Sequence, residues 1–253
     1  MANQFENPAY GRYGTTTVDR VAYDAGLRQH MLRVYNYMAS GLALSGIIAL
    51  LVANTSFGNL FFHTAMVGGR ERLVGITGLG WLAVFAPIVM ILIGSFAVNK
   101  MSGTAAKAWY WAIVAVNGIG LSTILFRYTG ASVASTFFIT AASFAALSLY
   151  GYSTKRDLSG MGKFLFMGAI GIMIAMVVNI FVQSSMMQFI ISAVGVLIFA
   201  GFTAYDTQTI KEQYSEAWGS ETQDKVAIFG ALNLYLDFVN LFQFLLSFLG
   251  DRD

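Results

Sequence analysis

Seven predominantly apolar stretches of about 20 residues follow one another along this chain, each long enough to cross a hydrocarbon core about 30 Å thick. They lie at 31–53, 79–98, 108–126, 131–152, 163–183, 187–206 and 226–249. Only 11% of the residues are charged, against roughly 25% in an average soluble domain. None of the stretches alternates like a barrel strand, and backbone groups in lipid must be paired within their own segment. The sequence therefore predicts an all-α integral membrane protein, a bundle of seven transmembrane helices.

The distribution of basic residues predicts the orientation of this bundle. With the N-terminus in the cytoplasm, eleven of the 15 Lys and Arg residues lie on the cytoplasmic side. We therefore predict a multi-pass protein with its N-terminus in the cytoplasm and its C-terminus outside. Residues 1–30 form a polar N-terminal segment, flexible up to about Asp19 and then starting a helix at the membrane surface; residues 31–253 form the transmembrane domain. The long outer loop around His63 is interpreted as an interfacial lid or a re-entrant turn.

The composition argues against several classes of function. The chain has no cysteine, which excludes disulfides, thiol catalysis and thiolate metal sites. His30 and His63 lie on opposite sides of the membrane in the predicted topology, so they do not form a zinc ligand set. The basic residues are scattered rather than clustered, which gives no indication of nucleic-acid binding, and the glycine-containing turns lack the lysine of a P-loop. We expect no organic cofactor.

Two acidic residues stand out because they lie within or at the end of apolar stretches. Asp206 lies in "GFTAYDTQTIKEQY", and Asp237 lies in "ALNLYLDFVNLFQFLL", about eleven residues into the last stretch and so near mid-membrane. An ionised carboxylate at that depth costs several kcal/mol, so Asp237 is expected to face the bundle interior or a water-filled cavity. Polar residues at helical spacing share the faces of both acids, which predicts that the last helix is surrounded by the others. These supporting residues are Asn233 and Asn240 for Asp237, and Thr209 and Gln213 for Asp206.

The two polar faces predict a coupled pair if they face each other. Two adjacent carboxylates would share one proton, and when deprotonated they would offer hard oxygen ligands to Ca²⁺. Helix depths place Asp206 nearer the cytoplasm than Asp237, so their proximity does not follow from the sequence. The plainer alternatives are that Asp206 is a solvated residue at a helix end and that Asp237 is a structural, hydrogen-bonded acid.

These two motifs, together with "STFFITAASFAALSLYGYSTKRDLSGMG", closely resemble the transmembrane Bax inhibitor motif family, also called the Bax inhibitor-1 family, in its bacterial inner-membrane form. The resemblance implies a seven-helix bundle whose last helix is central, wrapped by the other six. It also implies that Asp206 and Asp237 form a hydrogen-bonded di-aspartyl pH sensor in a pH-dependent Ca²⁺ leak channel. Some members close the cytoplasmic mouth with an Arg at the end of the second helix. That end reads "SFAVNKMS" here, so Asn99 or Lys100 would have to substitute, and Lys lacks the bidentate fork of Arg.

Three functional hypotheses follow. The first is a cation leak pathway of the bacterial inner membrane, chiefly for Ca²⁺, with Asp206 and Asp237 as gate and as Ca²⁺ ligands; its partners are lipid, Ca²⁺ and protons, and it is not an enzyme. The second is a non-transporting regulator of another membrane protein, such as a quality-control protease. The third is an intramembrane aspartyl protease, for which "AYD" fits one motif, but Leu234, Tyr235 and Leu236 stand where that enzyme class has Gly-x-Gly.

Overall fold

The computed structural model describes residues 17–67, 70–97 and 100–251. Its α-helices are α1 (Thr17–Asn54), α2 (Gly78–Ala97), α3 (Gly103–Leu125), α4 (Gly130–Ser153), α5 (Ser159–Val182), α6 (Ser185–Glu212) and α7 (Ser220–Leu249). In the described part of the chain, six of these are long and apolar enough to cross a membrane, and α2 carries a shorter apolar segment, Gly78–Gly94. The prediction of a helical membrane bundle is confirmed.

Several helices continue beyond the apolar stretches that predicted them. Helix α1 begins at Thr17 and runs without interruption to Asn54, so the expected surface helix is the first part of the first transmembrane helix. The boundary predicted at 30/31 therefore falls inside a continuous helix, and most of the segment expected to be flexible lies outside the described residues. Apolar patterning marks the hydrocarbon depth, whereas a helix ends where its backbone groups find other partners. The two limits need not coincide.

The loop between α1 and α2 forms a β-hairpin, so the interpretation as a re-entrant turn is wrong. A short 3-10 helix (Ser56–Leu60) leads into β1 (Phe62–Val67), which pairs antiparallel with β2 (Arg70–Ile76). Phe62 is buried at the base of the hairpin, 6.3 Å between ring centroids from Phe126 after α3. The base of the hairpin therefore packs against the end of α3.

Helix α7 lies at the centre of the bundle. In its apolar segment 56% of the residues are buried, against 11% in α5. It packs mainly against α6, α1, α4 and α3, while α2 packs chiefly against α3 and α5 chiefly against α6. The predicted central position of the last helix is confirmed. Helices α2 and α5 form an outer layer and do not surround α7 equally with the other four.

Small residues allow two pairs of helices to approach at backbone distance. A Cβ atom on Gly151 in α4 would collide with the backbone of Ala204 in α6. A Cβ atom on Gly118 in α3 would press against the backbone of Ser45 in α1. Without a hydrophobic driving force in lipid, such close contacts hold helices together by dispersion. The first of them fixes α6 against α4 within one turn of Asp206.

The alignment of α6 with α7 follows from three contacts. Ser192 Oγ donates to Ser247 Oγ at 2.8 Å, and a Cβ atom on Gly195 would meet the ring of Phe244. Near the other end, Ile210 packs on Gly230. Helix α6 ends two residues after Ile210, whereas α7 begins ten residues before Gly230. The first turns of α7 therefore project beyond the end of α6.

The bundle has two different ends. One end holds the start of α1 and the connections α2–α3, α4–α5 and α6–α7, and we call it the basic end. The opposite end carries the β-hairpin.

Candidate functional site

Asp206 and Asp237 meet between α6 and α7. Their side chains lie within hydrogen-bonding distance of each other. Asp237 is only 5% exposed, and Asp206 is partly buried. From the contact of Ile210 with Gly230, Asp206 lies four residues and Asp237 seven residues farther into the bundle, so their levels differ by only about 5 Å. The extension of α7 thus resolves the difference in depth that the two apolar stretches suggest.

The chemistry of this contact requires a proton. Ionised carboxylates only accept hydrogen bonds, so a bond between two carboxyl groups exists only when one of them is protonated. In the described residues, Oδ2 of Asp237 is buried without a hydrogen-bond partner. A proton shared with Asp206 would supply the donor that a buried carboxyl oxygen needs. The arrangement can therefore hold one proton between two helices.

The structure brings none of the four expected supporting residues into a hydrogen bond with either acid within the described residues. Asn240 Nδ2 donates to the backbone oxygen of Leu236 at 2.8 Å. Thr209 Oγ1 likewise donates to the backbone oxygen of Tyr205 at 2.9 Å. Each bond joins a side chain to the backbone oxygen four residues earlier in the same helix. Such local bonds compete with hydrogen bonds to the neighbouring helix. The other two residues, Asn233 and Gln213, are exposed.

A chain of three hydroxyl groups next to Asp206 was not predicted. Tyr35 in α1 lies 2.7 Å from Ser148 Oγ in α4, which lies 2.9 Å from Thr207 Oγ1 in α6. Thr207 donates its proton to the backbone oxygen of Thr203, so Ser148 donates to Thr207 and Tyr35 donates to Ser148. The chain joins three helices. Its only signal in the sequence is the position of Thr207 directly after Asp206.

Gln208 was also missed, although it lies two residues after Asp206. It is buried, and its Oε1 accepts from the backbone N–H of Leu158 at 2.8 Å. Its Nε2 donates to the backbone oxygen of Arg156 at 2.9 Å. Both groups of one amide are therefore used to tie the α4–α5 connection to α6. Gln208 holds the segment that closes the basic end beside Asp206.

Replacing Gln208 with Leu is expected to release this connection, because the backbone groups of Arg156 and Leu158 lose their partners. The free energy of unfolding should fall by about 1–3 kcal/mol. Amide hydrogen exchange in 154–158 should accelerate. Gln213→Leu, at an exposed position five residues later, provides the matched control. It should change neither the free energy of unfolding nor the exchange rate. Unchanged exchange in Gln208→Leu would contradict the assignment.

Of the two residues predicted as a latch, only Lys100 lies among the described residues, and there it makes no hydrogen bond or ion pair with either acid. Asn99 lies outside the described residues, and Lys100 is exposed. The adjacent α2–α3 connection is held elsewhere: Lys225 Nζ, near the start of α7, donates to the backbone oxygen of Met101 at 3.2 Å. An ionic latch on Asp206 therefore stays a prediction.

The acid pair offers few ligands to a metal ion. Among the described residues there is no group of three or more His, Cys, Asp or Glu side chains that could hold one. Ca²⁺ takes six to eight oxygen ligands. An ion at Asp206 and Asp237 would thus need further oxygen ligands from backbone carbonyls or water.

The fold and the paired acids define a polytopic helical membrane protein with a carboxyl pair at its core. Residues 27–253 match the family model described as "Inhibitor of apoptosis-promoting Bax1". The chain belongs to this family, the Bax inhibitor-1 family. It is 47% identical to a Caulobacter vibrioides protein over 96% of this chain and 97% of that protein. It is 42% identical to a Rickettsia prowazekii protein over 96% and 98% of the two chains. It is 39% identical to the Escherichia coli K12 "Inner membrane protein YbhL" over 90% and 94%.

Proposed function

We propose that this protein is a pH-sensitive cation leak pathway of the bacterial inner membrane, chiefly for Ca²⁺, and not an enzyme. Its gate is the pair formed by Asp206 and Asp237. The observation that carries the proposal is the contact of two acids, one of them almost fully buried, between the central helix and its main neighbour. In the proposed orientation the N-terminus and the basic end face the cytoplasm.

The proposed gate works through one proton. When the pair holds it, the hydrogen bond between Asp206 and Asp237 joins α6 to α7. When the proton leaves, two negative charges face each other in a medium that screens them poorly, and the contact becomes repulsive. The same charges then attract a hard cation. Loss of the proton thus loosens the interface and creates a site for the ion in one step.

A polar face of α7 supports a path that passes the pair. Asn233 and Gln243 are exposed on the helix that is otherwise the most buried, and Asn240 lies between them. The three residues are seven and three positions apart, so they share one side of the helix. Such residues are costly against lipid and are expected to line a pathway or a cavity. They give the proposed ion polar contacts on both sides of Asp237.

The test is Ca²⁺ entry into liposomes that contain the purified protein, measured from pH 5 to pH 8. Wild type is expected to show flux that changes with pH, and the double variant Asp206→Asn, Asp237→Asn is expected to show none of this pH dependence. Empty liposomes and a Gln213→Leu variant are the controls. Unchanged pH dependence in the double variant would remove the gate from the proposal. Absence of flux at every pH would remove the leak itself and favour a regulator that acts through a membrane partner.

A further inference from the structure

A groove between α1 and α3 lies at the basic end of the bundle, away from the acid pair. Its cavity volume is about 370 Å³, within the usual range of ligand sites. Its lining mixes polar and apolar surface, and all of the lining residues except one from α3 belong to α1. The lining residues are Gln29, Leu32, Arg33, Asn36, Tyr37, Ser40 and Trp111.

The charges at this groove do not balance. Arg33 and Lys107 are both bonded to the carboxylate of Asp224 at the start of α7, Lys107 Nζ at 3.1 Å from Oδ2. Two cations share one anion, which leaves one net positive charge. The side chains of Arg33 and Lys107 remain 38% and 40% exposed. Arg33 lines the groove, and Lys107 lies beside it on the same carboxylate, so both can donate further hydrogen bonds to an anion bound there.

Apolar and polar residues follow one another along the exposed face of α1 that borders the groove. Ile47 and Leu50 are 56% and 54% exposed, as expected of residues that contact acyl chains. Asn36 and Ser40 are exposed on the same face, nearer the basic end. Ser40 lies about 10 Å along the helix from Arg33, on the side of the apolar residues. In pure hydrocarbon these polar groups would lack partners, so they fit the headgroup region.

We propose that this groove binds an anionic phospholipid. The phosphodiester oxygens accept hydrogen bonds from Arg33 and Lys107, with the guanidinium providing the stronger, forked interaction. The glycerol and ester oxygens lie against Asn36 and Ser40, and the acyl chains continue along the apolar face of α1. Trp111 adds an indole ring, a group that favours the membrane interface. Because Asp224 is the counter-ion of both cations, the lipid competes with the start of α7 for them.

Native mass spectrometry of the purified protein, titrated with phosphatidylglycerol or with phosphatidylcholine, tests the proposal. Wild type is expected to bind phosphatidylglycerol several-fold more tightly. Arg33→Gln and Lys107→Gln should each weaken that binding on the order of fivefold, the contribution of one basic residue at an anionic surface. Asp224→Asn should strengthen it, because both cations lose their competing carboxylate. This gain cannot result from a variant that simply fails to fold.

The control is a second basic pair on another connection at the same end. Lys155→Gln with Arg156→Gln removes two exposed charges and should leave the preference for phosphatidylglycerol unchanged. An equal loss in that variant would show only general surface attraction and would overturn the site. No gain in Asp224→Asn would show that its carboxylate does not compete with the lipid, and would also overturn the proposal. Competition by millimolar inorganic phosphate would show that the groove takes a free anion, and would overturn the assignment to lipid.

Discussion

Asp237→Asn alone is expected to make Ca²⁺ flux through the liposome-reconstituted protein independent of pH. The amide keeps the size of the carboxyl group and can still donate a hydrogen bond to Asp206, but it does not exchange a proton in this pH range. The pair would then lose the state in which both members are charged. The flux at pH 8 should fall to the level that wild type shows at its least active pH.

The control for this prediction lies one turn away on the same helix. Asn240→Ala removes a polar side chain that bonds its own helix, at the backbone oxygen of Leu236. Because Asn240 lies on the proposed path but exchanges no proton, this variant should lower the flux at every pH and keep the pH dependence of wild type. If Asp237→Asn retained a normal pH profile while the double variant lost it, the proton would be sensed by Asp206 alone. The shared-proton mechanism would then be wrong.

Gly151→Val is expected to destabilise the protein by about 3 kcal/mol and to abolish flux. The new side chain would occupy space that the backbone of Ala204 already fills, and a backbone cannot turn aside as a side chain can. Helix α6 must then move away from α4, which displaces Asp206 two residues farther along. Unfolding in mixed micelles and the liposome assay measure the two effects.

Gly171→Val is the matched control, because it is also a helical glycine but has open space where a Cβ would lie. It carries the same change in helix propensity without the collision. Its stability and flux should stay near those of wild type. Equal losses in both variants would mean that glycine flexibility, rather than close packing of α4 on α6, is what the protein needs at Gly151.

The membrane itself explains why the sequence predicted the helices so well. Each helix crossing the hydrocarbon leaves an apolar stretch of fixed minimum length, and all seven stretches correspond to helices. The polar extensions carry no such constraint. The helical start of α7 at Ser220 and the continuation of α6 to Glu212 lie where water can satisfy the backbone, so composition does not reveal them.

The candidate site was only partly predictable for a related reason. The two acids could be selected because a carboxylate in an apolar stretch is costly wherever it points. Their contact depended on how far α7 projects beyond α6, which short contacts such as that of Ile210 with Gly230 determine. The hydrogen bonds of Asn240 and Thr209 to their own helices could not be predicted, because periodicity shows which face a side chain shares, and not whether it turns back to its own backbone.

Residues far apart in the sequence were the hardest to predict. Arg33, Lys107 and Asp224 come from three helices, and no local pattern joins them. Gln208 lay inside a recognised motif but resembled any polar residue at a helix end. Only the packing of α6 against the α4–α5 connection shows that both ends of its amide are used.

The central position of α7 has a consequence for biosynthesis. This helix follows the other six in the chain, so it leaves the ribosome and enters the membrane after them. Until then, the fully buried Val34 and Ile113 of α1 and α3 lack the contact with Leu234 and Tyr235 that completes their core cluster. Ser45 likewise lacks its hydrogen bond with the hydroxyl of Tyr235, which is 2.6 Å away in the complete bundle. A bundle of the first six helices alone would therefore have an open seam along its core, which the insertion of α7 closes.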